Sequence, residues 1–287
     1  MDKLIEKIIA KHNPTVMGLD PLLEYVPEHI RRGRSIGEAL FKFNRGLIDC
    51  TADLIPAIKP QSAYYELYGL EGIQALHQTI SYAREAGLYV ILDAKRGDIG
   101  STAEAYAGAY LGIRDAGPDC ITVNPYLGSD GVLPFTRMAV KNNKDIFVLV
   151  KTSNKSSGEL QDIDAGGEPL YRRTAALVRE WGDTAGGFGY NRCGAVVGAT
   201  YPAQIAELRA FMPETFFLIP GYGAQGGKAA DIAAAFDKHG LGAIVNSSRG
   251  LMCAYQKAGD DGKDYQKYTR EAVIAMRDDL CSHLPPM

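Results

Sequence analysis

Eight short runs of apolar and β-branched residues recur along the 287-residue chain. They fall at 15–20 (TVMGLD), 57–61 (AIKPQ), 89–95 (YVILDAK), 120–125 (CITVNP), 146–152 (IFVLVKT), 193–200 (CGAVVGAT), 216–222 (FFLIPGY) and 243–250 (AIVNSSRG). Near-continuous apolar character is what parallel strands covered by helices require. Between the runs, 72–87, 102–117 and 201–212 repeat apolar residues at three- and four-residue spacing, which predicts helices. Leu4, Ile5, Ile8 and Ile9 likewise put one apolar face on a short N-terminal helix. Eight strand–helix units predict an α/β protein closed as a (β/α)8 TIM barrel, and one domain over 1–287 is ordinary for that fold. Two intervals are long. Residues 21–56 hold the polar stretch VPEHIRRGRS before another helix, and 153–192 opens with SNKSSGELQDIDAGGEP before a helix around Tyr171–Trp181. Neither has a core pattern of its own, so both read as insertions after a strand.

The polar residues collect at the C-terminal ends of the runs. Asp20 ends the first, Lys59 lies in the second, Asp93 and Lys95 close the third and Asn124 the fourth. Thr152 and Ser153 follow the fifth, Thr200 the sixth, a stretch from Gly221 to Gly227 the seventh, and Ser247 to Arg249 the eighth. That rim carries the active site of this barrel. Strands also end in polar residues for no functional reason, but this accounts poorly for charged ones. The densest cluster is LDAKRGDIGST at 92–102. In a regular strand Asp93 and Lys95 point to the same side, and inside a barrel a charge is costly unless paired. Asp98 adds a second carboxylate near one ammonium. Such an array fits a catalytic centre, a structural ion-pair network, or a Mg2+ site held by two carboxylates. The loops PGYGAQGG at 220–227 and NSSRG at 246–250 form a second signal, since glycine lets backbone amides approach an anion and Arg249 offers a bidentate fork. Loops after the seventh and eighth strands are the frequent phosphate site of this fold.

Composition narrows the choices. With 46% hydrophobic and 23% charged residues the chain matches ordinary soluble globular proteins, and a net charge of −3 gives no reason to expect nucleic acid or an anionic membrane as partner. Cys50, Cys120, Cys193, Cys253 and Cys281 are scattered, as expected for reduced thiols in a cytoplasmic protein. Asp2 and Glu6 interrupt any signal-peptide core, and no later stretch has the length of a membrane span. The five histidines lack zinc-ligand spacing, and neither G-x-x-x-x-G-K-[ST] nor G-x-S-x-G occurs. Tyr64, Tyr65 and Tyr68 could line a pocket, although tyrosines so placed more often pack between helices.

The D-x-K-x-x-D pattern of Asp93, Lys95 and Asp98, followed by Ile99 and Thr102, resembles the signature of the orotidine 5′-phosphate decarboxylase family. GLDP with Asp20, the lysine of AIKPQ and the GAQGG and SSRG loops resemble it too. VNPYLGSDG and VKTSN place the chain nearest the longer bacterial-type branch, and the extended segment at 153–192 departs from the compact form of the family. The resemblance implies conversion of orotidine 5′-monophosphate to uridine 5′-monophosphate and CO2, the last step of de novo UMP synthesis, with no cofactor and no metal. It implies Lys95 as the acid that protonates C6, with Asp93, Lys59 and Asp98 completing an alternating charge array. Asp20, Lys59 and Thr102 would contact ribose, Ser153 the pyrimidine, and Gln225, Gly226, Ser248 and Arg249 the phosphate. It implies a homodimer in which Asp98 and Thr102 enter the partner's site. Two other readings stand beside it: a related barrel lyase or aldolase acting on a sugar phosphate with Mg2+, and a non-catalytic barrel that binds a phosphorylated ligand.

Overall fold

Each of the eight apolar runs forms a strand: β1 (Thr15–Leu19), β2 (Ala57–Pro60), β3 (Tyr89–Arg96), β4 (Cys120–Val123), β5 (Asp145–Lys151), β6 (Cys193–Val197), β7 (Phe217–Pro220) and β8 (Ala243–Ser247). All pair in parallel in chain order, and β8 closes on β1, making the barrel expected from the pattern. The computed structural model describes residues 1–113, 117–182, 185–223 and 226–287. Among these residues eight longer helices accompany the strands: α1 (Asp2–Lys11), α2 (Ile36–Asp49), α3 (Gly69–Glu85), α4 (Gly100–Leu111), α5 (Ser129–Asn142), α6 (Leu170–Trp181), α7 (Pro202–Phe211) and α8 (Tyr265–Cys281). The helix expected over 102–117 ends at Leu111, and 114–116 lie outside the described residues.

Strand alternation divides the core into two layers. Val16, Ala57, Tyr89, Ile91, Cys120, Phe147 and Ile244 face the axis, and Leu4, Ile5 and Ile8 of α1 pack with them to close the N-terminal end. Met17, Ile58, Val90, Leu92, Ile121 and Val148, each one position out of phase, join the layer under the surrounding helices. The period-2 rule that buries Tyr89 and Ile91 on the axis brings Asp93 to the axis at the C-terminal end. By the same count, Ala57 is followed by Lys59 and Cys120 by Thr122. The apolar floor is therefore capped by polar side chains from the same strands.

Both long intervals are built onto the barrel. The first enters α2 through a reciprocal cap, in which the Ser35 hydroxyl accepts from Glu38 N at 3.3 Å and the Glu38 carboxylate from Ser35 N at 2.9 Å. The second contains a short turn at Lys155–Ser157, a single helical turn at Gly158–Gln161, and then α6. The cysteines are all free thiols. Among the described residues no helix is long and apolar enough to cross a membrane.

Candidate active site

The charged centre is assembled at the ends of β2, β3 and β4. Asp93 receives Lys59 Nζ on Oδ2 at 2.7 Å and Lys95 Nζ on Oδ1 at 2.6 Å, so one carboxylate bridges two ammonium groups. The Lys59 side chain is 5% exposed and that of Asp93 10%, whereas Lys95 is 44% exposed and, unlike the other two, is not among the residues lining the adjoining cleft. Burial alone would push the Asp93 carboxyl up, but Lys59 and then Lys95 outweigh it and hold it well below the usual carboxylate range. Burial would likewise lower Lys59, yet the adjacent Asp93 and then Asp20 carry its value above that of a free lysine. With both Asp93 oxygens engaged by lysines, a Mg2+ ion would have to displace one of them.

The route by which Asp93 and Lys95 come together differs from the regular strand expected. The β3–β4 register slips between Leu92 and Arg96, and Lys95 takes a left-handed backbone with φ 47°. Outside glycine that conformation is uncommon and costs free energy, and such residues gather at functional sites. Thr122 of β4 supports it. Its hydroxyl accepts from Ala94 N at 3.0 Å and Lys95 N at 2.9 Å, and donates to Asp93 Oδ1 at 2.9 Å. The two amides displaced from the ladder are thus satisfied by one side chain, which also orients the carboxylate. A threonine in a strand looks like an ordinary β-former, so only the bulge reveals this role.

Asp20, Lys59, Asp93, Ser248 and Arg249 line one cleft of about 360 Å³. Tyr25, Gln61, Tyr64 and Asn246 are among the other residues lining it; the sequence marks Tyr64 and, within the NSSRG loop, Asn246, but not Tyr25 or Gln61. Of the other tyrosines, Tyr65 is fully buried and accepts from Asn44 Nδ2 at 2.9 Å, and Tyr68 accepts from Leu23 N at 2.8 Å. Asp20 Oδ1 and Asn246 Oδ1 are buried without hydrogen-bond partners, two unmet acceptors in the cleft. Gly18 explains how β8 comes so close. A Cβ there would lie 2.0 Å from Ser248 Oγ. Beyond Tyr222, Ser247 and Arg249 the cleft opens into a wider hollow of about 1040 Å³.

The remaining predicted residues sit apart from this cleft. Ser153 follows β5 across the barrel and is half-buried. Asp98 accepts from its neighbour's amide, Ile99 N, at 2.8 Å, and Thr102 lies exposed on α4. Gly226 is exposed with φ 93°, and Gln225 lies outside the described residues.

A closed (β/α)8 barrel with a lysine–carboxylate–lysine centre and an arginine-bearing corner after β8 belongs to the class of barrel enzymes whose chemistry lies at the C-terminal rim. Residues 41–277 match the model of the Orotidine 5'-phosphate decarboxylase / HUMPS family. An orotidine 5'-phosphate decarboxylase of Rhodopirellula baltica is 44% identical, over 95% of this chain and 96% of its own length. One from Clostridium perfringens is 42% identical over 97% of each. The structure of the Leishmania donovani OMP decarboxylase superposes with a TM-score of 0.74 at 35% identity, covering 96% of this chain and 98% of that one. The chain belongs to the orotidine 5'-phosphate decarboxylase family.

Proposed function

We propose that this protein decarboxylates orotidine 5′-monophosphate to uridine 5′-monophosphate, the closing step of pyrimidine nucleotide synthesis, in the cytoplasm and without a cofactor. The observation that carries the reading is the Asp93 carboxylate bonded to both Lys59 and Lys95 beside a cleft ending at Arg249. Near-full-length relatives at 42–44% identity bearing the decarboxylase name favour it over a sugar-phosphate aldolase.

In this reading the bond from C6 to the carboxylate breaks, CO2 departs, and the electron pair stays on C6. Lys95 gives its proton to C6 and is reprotonated from water. The carbanion has no conjugated electron sink, so its stabilisation comes from preorganised charge. An ammonium held at one place is attracted more strongly to a localised carbanion than to the delocalised substrate. Asp93 keeps Lys95 aimed, and its repulsion of the scissile carboxylate adds a ground-state contribution. Asp20 and Lys59 receive the ribose hydroxyls, for which the unmet Asp20 Oδ1 is an available acceptor. Ser153 contacts the pyrimidine. Gln225, Gly226, Ser248 and Arg249 hold the phosphate, whose binding energy is spent far from the reacting carbon.

Asp98 and Thr102 serve the partner's site in a homodimer. Their carboxylate and hydroxyl are not drawn into the Lys95 cluster of their own chain. Leu67, Leu70, Ile99 and Tyr126, which follow the adjacent strands β2, β3 and β4, are 55% to 88% exposed and offer an apolar surface to a second copy.

The test is loss of orotidine monophosphate absorbance with purified protein in metal-free buffer containing EDTA. Turnover is expected there, and Lys95→Ala should abolish most of it while uridine monophosphate still binds. No turnover, turnover that needs added Mg2+, or near-normal kcat in Lys95→Ala would each refute the reading.

A further inference from the structure

Lys151 is a lysine with a 1% exposed side chain that the proposed chemistry does not use. Strand alternation would leave it on the axis with Phe147 and Leu149. The β5–β6 register instead slips between Leu149 and Lys151, and the ammonium lies 5.5 Å from the Tyr171 ring of α6, in the outer layer. It is 4.7 Å from the ring of Tyr201 and 2.5 Å from Asp162 Oδ1. A buried ammonium is tolerated only with such partners. The carboxylate comes from the interval after β5, so the cation ties that segment to the strand end.

Two residues on, the backbone is clamped from several sides. Gln161 accepts from Thr152 N at 2.9 Å through Oε1 and donates to Thr152 Oγ1 at 2.7 Å through Nε2. From the β6 side, Thr200 Oγ1 donates to Ser153 O at 3.2 Å and Tyr201 OH to Asn154 O at 3.3 Å. Gly198 donates to Lys151 O at 2.7 Å, and a Cβ on it would come within 2.7 Å of Ser153 N. Among the described residues, the Ser153 hydroxyl itself makes no hydrogen bond, although both neighbouring residues are held.

We infer that the segment after β5 is a positioning device, in which Lys151, caged by Asp162, Tyr171 and Tyr201, and Gln161, bonded to Thr152, fix Ser153 for its contact with the pyrimidine. This rests on the reading of Ser153 as the base contact. Lys151 is buried and neither it nor Gln161 lines the cleft, so their loss should act through Ser153, on ligands that carry a base, and spare those that do not.

The experiment compares the affinities of uridine monophosphate and ribose 5-phosphate by calorimetry in wild type, Ser153→Ala, Gln161→Leu and Lys151→Met. Gln161 is half-buried, so Gln161→Leu is informative even if Lys151→Met does not fold. The expected result is about tenfold weaker uridine monophosphate binding in Gln161→Leu, the scale of one lost orienting hydrogen bond, with ribose 5-phosphate changed less than about twofold. A purely structural role would weaken both ligands together or neither. If Ser153→Ala shifts the ratio of the two affinities while Gln161→Leu leaves it at the wild-type value, the positioning inference is overturned alone. If Ser153→Ala leaves the ratio unchanged, the reading of Ser153 falls, and the inference with it.

Discussion

Thr122→Val tests how the bulge and the chemistry are joined. Valine keeps the shape of threonine and its preference for strands, so the change removes a hydroxyl and little else. That hydroxyl serves three partners, Ala94 N, Lys95 N and Asp93 Oδ1, at 2.9–3.0 Å. Thr122 is 1% exposed, so water cannot replace it without opening the site. Leaving the buried Ala94 amide unpaired costs about 1–3 kcal/mol, and the part-buried Lys95 amide adds a smaller amount. That is a measurable part of the roughly 5–15 kcal/mol by which proteins of this kind are stable. The alternative is for β3 to relax toward a regular strand, which takes Lys95 out of φ 47° and moves its ammonium from Asp93. Displacement by about 1 Å is enough to lower kcat by about a hundredfold. Urea unfolding and decarboxylation kinetics read the two losses separately, and Thr122→Ser, which keeps the hydroxyl, should recover most of both. An unchanged unfolding midpoint in Thr122→Val would refute the satisfaction argument. Lost stability with wild-type kcat would refute the link between the bulge and Lys95.

Arg249→Ala should weaken uridine monophosphate by about 10- to 150-fold, the value of a charge-assisted contact, and leave uridine nearly unaffected in the same titration; equal losses would place Arg249 outside the phosphate corner. Exchanging subunits between inactive Lys95→Ala and Asp98→Ala dimers should restore about a quarter of wild-type activity, since half the dimers are mixed and half their sites intact; no recovery after exchange verified by mass spectrometry would confine Asp98 to its own chain. Because the Asp93 value is depressed on folding, its contribution to stability is present above about pH 4 and is lost as pH falls through the lowered value. Lys59→Met removes the larger of the two opposing cations, so the acid-linked fall in Tm should become smaller and level off at a higher pH, and acid limbs of equal depth in the two proteins would contradict that assignment.

The barrel was legible in the chain because its cause is local. Parallel strands buried on both faces must be apolar throughout, and the segments that cover them must repeat at helical spacing, so eight runs were enough to mark β1 to β8. The polar rim was legible for a related reason, since charges such as Asp20, Lys59 and Asp93 at the ends of buried runs have few inexpensive structural roles. Distance and conformation were not legible. Spacing placed Asp93 and Lys95 on one side of a regular strand, whereas the contact depends on a register slip and on a hydroxyl from β4, remote in sequence. Tyr64 could not be told from Tyr65 and Tyr68 until the first was seen lining the cleft and the others accepting from Asn44 Nδ2 and Leu23 N. Lys151, read along the chain as one more strand residue, proved to be a buried cation among groups from three separate segments. Local patterns determine which residues are buried and which are costly to bury. Only closure of the barrel decides which costly residues meet, because pairing one charge with another is a property of the whole fold.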